Sequence, residues 1–88
     1  MAKDKTTKNQ NARLAVVKAR FAMENLVGLV EAGEISRGTL GEAFAYVSGA
    51  YLNALDAVRA DGTFAYGKWT EDAVTDYDAI LRRWFATR

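Results

Sequence analysis

Leu40, Phe44, Val47, Tyr51, Leu55 and Val58 recur at spacings of three and four residues, and no proline interrupts them. That period suits an α-helix and not a strand, because 3.6 residues per turn brings such positions onto one face. Proline is absent from the whole chain, so glycines and capping residues supply all the punctuation. Thr39-Leu40-Gly41-Glu42 opens the segment as a capping box, in which Thr39 accepts from the Glu42 amide while Glu42 reaches back. Asp61-Gly62 closes it. Glu42, Asn53 and Asp56 mark the opposite face, and Gly49 sits there at a cost of about 1 kcal/mol relative to alanine.

The same reading places two more helices. The first runs over residues 11–32 and stops at Gly33, a C′ glycine. Arg13, Arg20, Glu24 and Glu31 form one narrow polar stripe on it, with Arg20 and Glu24 spaced to pair. Around that stripe Val16, Ala19, Met23, Leu26, Val27, Leu29 and Val30 form a broad apolar face, and Leu14, Val17 and Phe21 form a second. A surface that wide is contacted from more than one side, and in so small a protein another chain can supply some of the contact. The third helix, residues 70–86, takes Thr70 as its N-cap. Ala73, Tyr77, Ile80, Leu81 and Trp84 share one face. Glu71, Asp72, Asp76 and Asp78 crowd its first half and Arg82, Arg83 and Arg88 its end, an order that complements the helix dipole.

The expected architecture is all-α: a small three-helix bundle formed by residues 11–88 as a single domain, with residues 1–10 as a flexible basic arm. The short turn at residues 33–38 favours an antiparallel hairpin of the first two helices. The second connection is longer, and its Gly62-Thr63-Phe64-Ala65-Tyr66-Gly67-Lys68-Trp69 has a tiny β-hairpin as an alternative.

Composition narrows the chemistry. The 88 residues contain neither cysteine nor histidine. Disulfides, thiolate and imidazole zinc sites and histidine-based acid–base arrangements are thereby excluded. Asp72 and Asp76 have the spacing of a carboxylate metal pair but lack the histidines that accompany it in di-iron bundles. Capping and dipole preference account for them, and no phosphate-binding glycine loop is present. The expectation is a protein without catalysis, cofactor, metal or small-molecule substrate. Charged residues interrupt the apolar segments, so neither a signal peptide nor a membrane span is expected, and the default location is the cytoplasm.

The net charge of +1 conceals an asymmetry: residues 1–20 carry +5 and the remainder −4. Lys3, Lys5, Lys8 and Arg13 on the arm, continued by Lys18 and Arg20, are the candidate nucleic-acid contacts, able to neutralise phosphates without reading sequence. A solubilising tail is the alternative. The aromatics divide likewise. Phe44, Tyr51, Tyr77 and Trp84 lie on helix stripes and belong to the core. Phe21, Phe64, Tyr66, Trp69 and Phe85 are less readily placed, and interfaces favour such rings as anchors. Phe64, Tyr66, Lys68 and Trp69 on the second connection, with Tyr46 on the polar side of the second helix, are the candidate partner-binding residues. Closing the core is the competing role for the connection's rings.

Residues 24–58, with Gly33-Glu34-Ile35 at the corner between a charged helix and an alanine-rich amphipathic one, resemble the helical hairpin of small terminase subunits of tailed phages. The family's N-terminal DNA-binding helix-turn-helix has no counterpart here, nor does the arginine-leucine-proline ending of its second helix. The resemblance implies a homo-oligomeric, DNA-associated packaging factor of phage or mobile-element origin, placed in host cytoplasm or virion. From the residues themselves, the leading expectation is a small helical interaction or assembly protein that binds protein subunits, itself or a partner. The alternative is a nucleic-acid-associated accessory factor using the basic arm.

Overall fold

A computed structural model describes residues 2–60 and 67–87, with side chains from residue 9 onward. It contains three helices: α1 (Ala2–Glu31), α2 (Arg37–Ala60) and α3 (Lys68–Ala86). No strand occurs among the described residues. The all-α three-helix bundle read from the sequence is the observed fold. The long dimension is 48 Å, against 20 and 15 Å across, and α1 sets it, since 30 residues at 1.5 Å each make about 45 Å.

Helix ends show where local chemistry was and was not legible. Gly33 has φ +75°, a left-handed conformation that only glycine adopts without strain. Its amide donates to the Val30 carbonyl at 3.0 Å and the Glu34 amide to the Leu29 carbonyl at 3.0 Å, the paired bonds of a Schellman stop. The start of α2 falls two residues before the expected Thr39. Ser36 is the cap: its Oγ accepts from the Thr39 amide at 3.2 Å and lies 2.7 Å from Thr39 Oγ1. Helix α3 likewise starts before the expected Thr70. Gly67 is its N-cap, without a side-chain cap bond, and Thr70 is buried at 2 % exposure inside the first turn. At the front of the chain, residues 2–10, expected as an arm, are helical backbone continuous with α1.

Pairing partners fix the topology. Arg20 of α1 bonds Asp76 of α3 at 3.1 Å, and Glu31 of α1 bonds Arg83 of α3 at 2.6 Å, so the two helices run parallel. Ser48 of α2 and Tyr77 of α3 share a hydrogen bond of 2.7 Å, while Arg37 at the start of α2 reaches the Thr87 carbonyl at 3.0 Å. Helix α2 is therefore antiparallel to both. Arg37 also lies 3.4 Å from the Trp84 and Phe85 carbonyls, so its guanidinium serves the last turn of α3, whose carbonyls lack intrahelical donors.

The core is the meeting of three stripes: Val16, Ala19, Met23, Val27 and Val30; Phe44, Tyr51, Leu55 and Val58; Ala73, Ile80 and Trp84. Phe44 and Trp84 stack with centroids 4.0 Å apart and planes 2° from parallel. Each such side chain contributes about 1.5–3 kcal/mol on burial. The α1–α2 contact is much the most extensive of the three. The polar stripe of α1 faces α3: Arg20, Glu24 and Glu31 form the charged seam between those helices.

Candidate interaction surface

The described candidate partner residues, Tyr46, Lys68 and Trp69, are dispersed over α2 and α3. Phe64 and Tyr66 lie outside the described residues. Lys68 and Trp69, expected on a loop, occupy the first turn of α3, where the helical period separates them. Lys68 is exposed and pairs with Asp72 at 3.4 Å. Trp69 is half-buried against the core and lines a cavity of about 220 Å³ with Val17, Arg20, Tyr51, Asp72 and Asp76. Its ring thus packs at the α1–α3 seam and is only partly exposed. Tyr46 is 81 % exposed on α2 and fits the expectation of a surface aromatic.

The basic candidates also divide. The side chains of Lys3, Lys5 and Lys8 lie outside the described residues, although their backbone belongs to α1. Arg13 donates from Nε to Asn9 Oδ1 at 2.9 Å. Lys18 is exposed. Arg20 is engaged within the fold: Nη1 bonds Asp76, and Nε lies 3.7 Å from Glu24, an ion-pair distance too long for a hydrogen bond. Two carboxylates beside one guanidinium leave little charge for a phosphate, so Arg20 is a poor nucleic-acid contact as it stands.

Polar groups elsewhere connect helices. The Tyr51 hydroxyl is buried and donates to the Ala73 carbonyl. Burial, reinforced by the negative charge of Asp76, pushes its pKa up to about 12. Arg83 holds Glu31 through two bonds, of 2.6 and 3.2 Å, and those bonds lower the Glu31 pKa. Among the described residues no group of three or more acidic side chains is placed to hold a metal ion, and no helix is long and apolar enough to cross a membrane.

Apolar surface is what remains unexplained by the fold. Of the second apolar face of α1, Leu14 and Phe21 stay outside the bundle, 50 % and 54 % exposed, while Val17 lines the cavity beside Trp69. Arg20 covers one side of Phe21, its guanidinium carbon 5.3 Å from the ring centroid. On the α2–α3 side Leu52, Val74 and Phe85 are exposed as well. Leu52 and Val74 escaped the sequence reading because each directly follows a core position, Tyr51 and Ala73. The available signal was a second apolar row offset by one residue from the first. Compared with family models, with curated proteins and with solved structures, the chain matches none.

Proposed function

We propose that this chain is a small, non-catalytic helical interaction protein that binds protein subunits, either a partner or further copies of itself. The observation that carries the reading is the set of large apolar side chains held outward on helices, Phe85 at 68 % and Phe21 at 54 % exposure above all. Rings fixed on helices lose little entropy on docking, which suits them as anchors. Most described ion pairs and side-chain hydrogen bonds serve the helix junctions or helix surfaces, which fits a scaffold for binding better than a reaction centre. An assembly role of phage or mobile-element type, implied by the hairpin resemblance, belongs to this class.

The test is a triple variant, Phe21→Ala, Tyr46→Ala and Phe85→Ala, compared with the parent chain in sedimentation and in cross-linking within its native extract. The expected result is lost association with the thermal transition retained. If the parent chain forms no complex with itself or with any other protein, the reading fails. The nucleic-acid alternative predicts duplex binding that weakens steeply with salt and vanishes when residues 1–10 are removed.

A further inference from the structure

We infer that the outer face of α3 is a homodimer interface, on which a second copy of the chain lays its own α3 antiparallel. This deepens the interaction reading above and rests on it. Ala73, Tyr77, Ile80 and Trp84 form the inward row of α3. One position later, Val74, Asp78 and Phe85 recur at spacings of four and seven on the outer side of α3, while Leu81 between them is half-buried against the core. This outer row looks away from α1, which contacts α3 through Asp76 and Arg83. Phe85 is 68 % exposed and Val74, partly covered, 40 %.

Charge selects the occupant and its direction. Asp78 and Arg82, both largely exposed, pair with each other at 3.2 Å along the edge of this row. In a parallel pairing of two α3 helices, Asp78 would face Asp78 and Arg82 would face Arg82. Reversing one helix brings Asp78 of each copy to Arg82 of the other, and the row becomes complementary to itself. A two-fold interface demands that reciprocity.

The same alignment gives Phe85 a seat. The Ser48–Tyr77 bond sets the α2–α3 register, so one turn further along, Leu52 lies beside Val74. Antiparallel pairing that joins Asp78 to Arg82 puts Phe85 of the second copy over Val74, next to Leu52, which is 42 % exposed. The ring enters a hole formed by those two side chains, once on each side of the axis. Burial of this kind covers on the order of 1,000 Å² in total, the low end of stable interfaces, so dissociation constants from roughly micromolar to hundreds of micromolar are expected.

Sedimentation equilibrium of the full chain over that concentration range tests the inference. The expected result is a monomer–dimer equilibrium that Phe85→Ala weakens about tenfold or more without lowering the melting temperature measured at dilutions where both chains are monomeric. Asp78→Arg and Arg82→Asp each weaken self-association, and mixing the two variants restores a dimer containing one of each. A restored intrahelical pair cannot mimic that last result, because neither chain regains its own partner. A parent chain that stays monomeric overturns the inference, as does a dimer indifferent to Phe85→Ala or variants that ignore each other on mixing. If such a monomer still binds another protein through Phe21 or Tyr46, only the α3 interface is lost and the wider interaction reading stands.

Discussion

The two seams of α1 are built from different materials. Against α2 it buries Val16, Ala19, Met23, Val27 and Val30 on Phe44, Tyr51, Leu55 and Val58, with a turn closed by Gly33 and Ser36. Against α3 it offers Arg20, Glu24 and Glu31, answered by Asp76 and Arg83. The first seam is apolar, local in sequence and nearly indifferent to salt. The second joins residues more than fifty positions apart through half-exposed charges, which are individually weak and screened. Helix α3 is therefore held chiefly by its few buried side chains, and its ion pairs set direction more than strength.

Trp84→Ala breaks the contrast most severely. It removes the ring stacked on Phe44 and should cost about 3–5 kcal/mol, enough to release α3 while hydrogen exchange still reports protection in α1 and α2. Equal loss of protection in all three helices would show the hairpin has no stability of its own. The alkaline limb comes next. Tyr51 in the folded chain keeps its proton to about pH 12, whereas an unfolded tyrosine releases it near pH 10. Stability is thus intact below pH 10 and falls as pH rises between those values, by about 2–3 kcal/mol in all. In Tyr51→Phe that contribution to the slope should disappear from urea titrations at successive pH values.

Gly33→Ala probes the hairpin from its turn. A side chain at φ +75° costs about 1 kcal/mol, although nothing lies within 4 Å of the added methyl group. Unchanged stability would mean that the turn relaxes freely. The smallest effect belongs to the charged seam. Arg20→Met should cost about 1 kcal/mol or less, since both partners are substantially solvated, and the difference from the parent should shrink in molar salt. Glu31 works in the same direction: its pKa lies below the ordinary carboxylate value, so its contribution is present above that value and disappears on acidification. A salt-independent cost for Arg20→Met would assign that residue a packing role instead.

Much of this was legible in the sequence. Periods of three and four located every helix, and Leu55, Val58 and Ile80 sit in the core as their stripes require. Gly33 announced its stop because a left-handed residue has few alternatives. The starts were harder. Ser36 and Thr39 are both good caps three residues apart, and only the backbone decides between them. Gly67 offers no capping side chain to read, which let Thr70 take its place in the expectation. What covers a face cannot be read from its own period: Arg20 resembled an exposed base because Asp76 stands far along the chain. For Trp69 the sequence left core closure and partner contact both open, and what it missed is that the ring stands in the first turn of α3, where it lines a cavity.

Because α1 and α3 run parallel with α2 returning between them, the described chain enters at one end of a 48 Å rod and leaves at the other. Tension applied through residues 9 and 87 therefore acts along every seam at once. The helices must slide past one another before any can peel away, so buried side chains and charge pairs resist together. A chain whose ends met on one side would unzip contact by contact under the same load. This topology loads the helix seams in shear when the described ends are pulled apart.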